Sequence, residues 1–306
     1  STLLNFPSSD YIIAEPYGNT LHISPWNYPF QLSIAPLVGA IASGNTVILK
    51  PSEYSLHTSI VLEKIISSVF DPGHVKVING GVETSTKLLK FKWDYIFFTG
   101  SISVGKIVAK AAAINLTPTT LELGGKNPCI IDETASIKVT AKRIVWGKFT
   151  NCGQTCIAPD FLVVHKKIKD ELIMELKSQI IKAFSLNVIE CEEYGRIISE
   201  KHMNYLISLL KNENIIHGGN YNIKDKFFEP TIVEVNNLNS KIMEDEIFGP
   251  ILPIIEYNDF DEVDKIVKKY SHPLALYIFT NRSEFGKKFL ESYPFGGGAI
   301  NDTIMH

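Results

Sequence analysis

Residues 44–53 read Gly-Asn-Thr-Val-Ile-Leu-Lys-Pro-Ser-Glu. Thr46, Val47, Ile48 and Leu49 run together without alternation, as in a strand covered on both faces. Gly44 and Asn45 suit the left-handed close of a preceding helix. Pro51 stops the strand, and Ser52 or Ser55 suits the N-cap of a helix that follows. Helix, turn, buried strand, turn and helix in that order are the unit from which parallel sheets are made.

The unit repeats on both sides of this stretch. Strand-like runs fall at residues 20–24, 46–49, 75–79, 95–99 and 119–123, and helix-compatible segments at 31–43, 56–70, 83–91 and 103–114. Gly80-Gly81 suits a turn between strand and helix. Beyond Gly124-Gly125 the pattern loosens. Helices are expected at 136–149, 169–184, 200–212, 260–270 and 283–292, the second of them with Leu172, Leu176, Ile180 and Ala183 on one stripe. Strands are expected at 161–164, 231–235, 251–257, 274–280 and 299–305, with a glycine run at 296–298 before the last. The expected fold class is α/β. A doubly wound parallel-sheet domain of nucleotide-binding type spans 1–124, and a second α/β domain spans 125–306.

Composition narrows the function. The chain has 306 residues, 45% hydrophobic and 21% charged, with a net charge of −3. That balance gives no electrostatic reason for nucleic acid or an anionic membrane as partner. No Asp, Glu, Lys or Arg occurs between Glu15 and Lys50, but Pro25, Asn27, Pro29, Gln31 and Pro36 interrupt the stretch. No run of ~18 apolar residues remains, so burial in a soluble core is expected rather than a membrane span. The first ten residues lack the basic and apolar regions of a secretory signal. Four cysteines in a chain of this length make no disulfide framework. A reducing, cytoplasmic setting is the expectation.

The chemistry centres on residues 151–160, Asn-Cys-Gly-Gln-Thr-Cys-Ile-Ala-Pro-Asp, where a loop presents Cys156 just before a strand. A thiolate is a strong nucleophile when it is exposed and its pKa is lowered. Cys152 and Cys156 lack neighbouring ligands for zinc, and no histidine signature offers a Cys–His dyad. Glu122, between Leu121 and Leu123, is either a buried carboxylate raised towards neutral pH as a general base or a structural ion-pair or capping residue. Asn27, just past the first strand, either donates to an oxyanion or, as the residue alone suggests, holds its own proline-rich turn. Residues 99–105 (Thr-Gly-Ser-Ile-Ser-Val-Gly) join a strand to a helix as a phosphate loop does, although the glycine spacing is not G-x-G-x-x-G. Lys50 and Glu53 suit a ribose or a capped helix start equally. The acidic run 244–250 reads from composition as a solvated surface loop.

Together these stretches resemble the aldehyde dehydrogenase superfamily along nearly the whole chain. The carriers are SPWNYPF (24–30), GNTVILKPSE (44–53), FTGSISVGK (98–106), LELGGKNP (121–128), NCGQTCIAPD (151–160) and EIFGPILPI (246–254). GQTCIAPD, WNYPF and the late GGGAIND (296–302) look most like the class 3 branch, which includes fatty and medium-chain aldehyde dehydrogenases. The resemblance implies Cys156 as nucleophile, Glu122 as general base and Asn27 as oxyanion donor, with NAD or NADP as cofactor and no metal. It assigns Lys50 and Glu53 to the adenosine ribose, with Ser52 beside them, and Gly100, Ser101, Val104 and Gly105 to the pyrophosphate and its helix. It places Glu246 and Phe248 at the nicotinamide end, against the surface-loop reading, and adds Trp26 and Leu123 to the cofactor contacts. The implied partner is a small aldehyde, and the implied assembly of the parent protein is a homodimer. Relative to that family the chain reads as truncated at both ends. The alternatives are a CoA-acylating enzyme, which Glu122 argues against, an esterase side-activity at Cys156, and a catalytically silent homologue that binds cofactor or a partner.

Overall fold

The computed structural model describes residues 6–7 and 10–306. Most of the first ten residues lie outside the described residues. The chain divides into two compact units, Ser1–Glu122 and Leu123–His306.

In the first unit, β1 (Asn19–Ile23) leads through a bend into α1 (Gln31–Ala42), followed by β2 (Thr46–Lys50). Gly44 at φ +85 closes α1, because a left-handed residue is needed to turn the chain back into a strand. Ser52 accepts a hydrogen bond from the Tyr54 N–H and so starts the turn into α2 (Leu56–Val69). Then come β3 (Val75–Val77), α3 (Val82–Leu88), β4 (Tyr95–Gly100), α4 (Ile102–Ile114) and β5 (Thr119–Leu123). The strands lie in the order β3-β2-β1-β4-β5, and β1 pairs in parallel with both β2 and β4. The order reverses beside β1, which makes the sheet doubly wound. Leu49 has no exposed surface, and Leu37, Val47, Ile66, Val75 and Val77 are buried with it as one core cluster of this unit.

The second unit holds β6 (Pro128–Ile131), α5 (Ile137–Phe149), β7 (Phe161–His165), α6 (Lys169–Phe184), α7 (Glu200–Leu209) and β8 (Asn214–His217). After a small hairpin, β9 (Tyr221–Asn222) and β10 (Phe227–Phe228), come β11 (Thr231–Glu234) and β12 (Ile251–Tyr257). The unit ends with α8 (Phe260–Lys269), β13 (Ala275–Phe279), α9 (Ser283–Glu291) and β14 (Gly297–Ile300). Among the described residues its sheet has seven strands in the order β14-β13-β6-β7-β12-β11-β8, with β8 antiparallel to β11. Most of its strand residues are fully buried, as expected for a sheet covered on both faces.

The α/β class and the doubly wound sheet are as the sequence predicts. Several local expectations are corrected. The short β6 went unpredicted, although it pairs with both β7 and β13 near the middle of the sheet. The last strand is Gly297–Ile300, so the glycine run is part of a strand and residues 301–305 are not. A Cβ at Gly298 would press to 2.8 Å on the Leu276 carbonyl oxygen, which explains glycine within a paired strand. Ala183 is exposed, and Phe184 packs in the core in its place. No helix among the described residues is long and apolar enough to cross a membrane.

Candidate functional site

In the second unit, six parallel strands begin at Pro128, Phe161, Thr231, Ile251, Ala275 and Gly297. The segments that enter four of them carry the candidate residues or their supports: Gly124–Asn127, Cys156–Asp160, Glu244–Pro250 and Pro273–Leu274. The amino edge of a parallel sheet leaves main-chain groups without strand partners, and side chains replace them here. Asn127 donates its amide to the Cys156 carbonyl at 2.7 Å and to the Ala158 carbonyl at 3.1 Å. Its Oδ1 accepts the Ala275 N–H at 2.9 Å, and its own carbonyl accepts the Asp160 N–H. Tyr277 donates its hydroxyl to the Ile157 carbonyl at 2.6 Å. The main chain from Cys156 to Asp160 is therefore fixed.

Before Cys156 the chain takes a left-handed turn, with φ of +53 at Asn151, +54 at Cys152 and +70 at Gly153. Only the glycine does so without strain. A Cβ at Gly153 would also overlap the Gly249 carbonyl. Gln154 holds the turn. Its Nε2 donates to the Asn151 and Arg196 carbonyls at 3.0 Å each, and its Oε1 accepts the Ile198 N–H at 3.0 Å.

The four cysteines are free thiols, and burial separates them. Cys129 is buried and its thiol is pushed far up by desolvation. Cys152 is buried beside Tyr194, and desolvation pushes its thiol up to about 12. Cys156 and Cys191 are partly exposed.

Glu122 departs from expectation. It is exposed on β5 at the sheet edge, while Leu121 and Leu123 are half-buried, because successive strand side chains face opposite ways. The argument for a base made from burial between two leucines is therefore corrected. The carboxylate that its surroundings raise is instead that of Glu246, a half-buried residue. Burial pushes it up to about 8, and the Asp160 charge adds to this, while the Gly125 N–H, Lys148 and Lys126 pull the other way. A Cβ at Gly124 would overlap this carboxylate, so Gly124-Gly125 serves the close approach of Glu246. The doublet looked like a mere boundary in the sequence, and only the fold reveals its partner.

The surface-loop reading of 244–250 is corrected as well. Glu244 and Asp245 are exposed, but Ile247, Gly249 and Pro250 are buried. Buried Lys126 donates to Asp160, to the Ile242 carbonyl at 2.6 Å and to the Asp245 carbonyl at 2.9 Å. Asp160 also accepts the Ile247 N–H at 3.0 Å. One ion pair thus joins the segments that carry Cys156 and Glu246. Lys148 lies buried near them, and desolvation holds its ammonium down to about 8 despite the attraction of Asp160.

In the first unit the candidate cofactor residues line the carboxyl edge of the sheet. Trp26 and Asn27 are half-buried in the bend between β1 and α1. Lys50 is buried, with its ammonium 2.9 Å from Glu53, so these two residues form an ion pair. Ser52 is buried and serves as the cap expected of it. Gly100 sits where a Cβ would press on the Phe98 ring, and Ser101 caps α4 by accepting the Val104 N–H. Gly105 is buried one turn along. The loops after β1 and β4 adjoin where the strand order reverses, which is where open α/β sheets take a nucleotide. Capped helix start, obligatory glycine and switch point together fit a dinucleotide.

Comparisons with known proteins agree with the fold. The model of the aldehyde dehydrogenase family matches residues 5–306. The 4,4'-diaponeurosporen-aldehyde dehydrogenase of Staphylococcus aureus is 47% identical over 98% of this chain and 66% of its own length. The mouse dimeric, NADP-preferring aldehyde dehydrogenase is 44% identical over 97% of this chain and 65% of its own. The solved Staphylococcus aureus AldH in its substrate-bound state superposes with a TM-score of 0.95 at 46% identity, covering 100% of this chain and 67% of that one. The Mycobacterium tuberculosis aldehyde dehydrogenase complexed with NAD+ superposes at 0.86 with 28% identity, over 94% and 62%. This chain thus spans about two thirds of the curated relatives it matches.

Proposed function

Because the chain belongs to the aldehyde dehydrogenase family, we propose that it oxidises an aldehyde to a carboxylic acid with NAD or NADP, through a thioester on Cys156. The observation that carries this is the contrast among the cysteines. Cys129 and Cys152 are buried with their thiols raised, whereas Cys156 is partly exposed in a loop whose carbonyls Asn127 and Tyr277 hold.

What the dinucleotide supplies when bound is a hydride acceptor. Lys50, Ser52 and Glu53 would hold its adenosine ribose. Gly100, Ser101, Val104 and Gly105 would receive the pyrophosphate, and Trp26, Leu123, Glu246 and Phe248 would complete the contacts. The Cys156 sulfur adds to the carbonyl carbon, and the oxygen, now an anion, takes hydrogen bonds from the Asn27 amide and a nearby backbone N–H. Loss of hydride from that carbon leaves the thioester. Glu122 then takes a proton from water, the water oxygen adds to the acyl carbon, and the Cys156 thiolate leaves as the acid is released. A second assignment puts Glu246 in the role of base. It is favoured by the burial that raises this carboxyl to about 8, within reach of neutral-pH proton transfer.

An apolar aldehyde is the substrate class we infer, since the Staphylococcus aureus relative is named for 4,4'-diaponeurosporen-aldehyde. A homodimer is inferred from the mouse relative named as dimeric. Cofactor reduction measured with short, long and aromatic aldehydes tests the reading. Cys156→Ala is expected to abolish turnover, and Asn27→Ala to slow it about 100-fold. Glu122→Gln is expected to accumulate the acyl-enzyme, visible as added mass on the intact protein. Accumulation in Glu246→Gln alone would move the base to Glu246. If the native protein reduces neither NAD nor NADP with any of these aldehydes, the reading fails.

A further inference from the structure

Residues 242–248 belong to no strand, and their only regular structure is the short turn Lys241–Met243. Irregular backbone beside a core must find hydrogen-bond partners outside any ladder. Lys126 and Asp160 provide three, as described. Three further side-chain bonds come from two helices. Tyr270, at the end of α8, donates its hydroxyl to the Met243 carbonyl at 2.8 Å. From α7, Tyr205 donates its hydroxyl to the Glu246 carbonyl at 3.0 Å, and His202 Nε2 donates to the Phe248 carbonyl at 2.8 Å.

His202 and Tyr205 are three residues apart and share a face of α7, with ring centroids 5.6 Å apart and planes inclined at 22°. α7 is anchored independently by its buried Met203, Leu206 and Leu209. The polar tips of Tyr205 and His202 are therefore not what holds the helix in place. Phe248 takes φ +51, a left-handed conformation that a bulky residue keeps only when its surroundings impose it. The His202 bond lies on that strained residue, and the Tyr205 bond lies on the residue whose carboxylate approaches Gly124.

We propose that Tyr205 and His202 are positioning residues, which set the placement of Glu246 and Phe248 from α7 through the main chain of the 246–248 segment. Neither touches substrate or cofactor in this scheme. Its kinetic consequence rests on the aldehyde-oxidising reading above, but the structural statement does not.

The test uses Tyr205→Phe and His202→Leu, with His202→Gln restoring a donor near the position of Nε2. Amide hydrogen exchange of residues 244–248 is expected to quicken about tenfold in the first two, as for loss of one ordinary hydrogen bond. The melting temperature is expected to fall by only about 2–4 °C, and exchange elsewhere in α7 to stay native. His202→Gln is expected to return the segment to native exchange. Native exchange of the segment in Tyr205→Phe and His202→Leu overturns the proposal, whether or not the protein is an enzyme. In the kinetic arm, the two variants are expected to raise KM for the cofactor several-fold with kcat little changed, and to add nothing further in a Glu246→Ala background. Unchanged KM in an active protein, or full additivity with Glu246→Ala, overturns the link to Glu246. A native protein without activity defeats the functional reading instead, and leaves the exchange result to decide.

Discussion

His22 shows how one residue can set a pH limit. It lies on β1 between Leu49 of β2 and Phe97 of β4, is 3% exposed, and its Nδ1 has no partner among the described residues. Burial lowers its pKa to about 4. Its folded pKa lies below the unfolded value of about 6.5, so the unfolded chain binds more protons between those limits. Stability is therefore full above about pH 6.5 and falls as the pH drops towards 4, by about 3 kcal/mol in total. His22→Leu should flatten that fall, and denaturant unfolding of both proteins between pH 7 and 4 measures it. Glu122, read in the sequence as a candidate buried base, proved exposed for a different reason. Two flanking leucines do not bury a strand residue that faces the other way. The carboxylate whose pKa desolvation raises, Glu246, stands in a run that composition describes as surface.

At the scale of elements, periodicity was a dependable guide wherever one helix meets one sheet. α6 follows its expected range, and Leu172, Leu176 and Ile180 of its stripe are almost wholly buried against Val164, Ile232 and Ile254. Leu176→Ala should cost about 2–5 kcal/mol, measured by urea unfolding with an unchanged slope. Three carboxylate and ammonium groups also organise this helix: Lys169 at its start reaches Glu234 at 2.8 Å and Glu256 at 2.7 Å, which tethers it to β11 and β12. Short or irregular elements were less legible. β6 is four residues long and carries no period of its own, yet its neighbours on both sides make it a central strand. The turn 151–153 and the segment 242–248 have no repeating pattern at all. They are specified by single side chains distant in sequence, Gln154 to Arg196 and Tyr205 to Glu246 among them.

For the molecule as a whole, the two units expose opposite ends of their parallel sheets. The first gathers its candidate residues at the carboxyl edge, around the switch point beside β1. The second gathers Asn127, Cys156 and Glu246 at the amino edge, where side chains complete the main-chain hydrogen bonding. Burial across the whole chain gives a thiol pattern: two partly exposed cysteines, 156 and 191, and two buried ones, 129 and 152. A thiol reagent should therefore titrate two groups promptly in the native protein and four after denaturation. Prompt reaction of all four would contradict the packing. The sequence by itself determined the α/β class, the doubly wound order of short buried strands and the identity of the loop around Cys156, because hydrophobic periodicity and turn residues act locally. Only the tertiary structure decided which carboxylate is raised by desolvation, which thiols are buried and what holds residues 242–248. Desolvation and hydrogen bonding depend on neighbours brought from far along the chain, and such neighbours leave no local pattern.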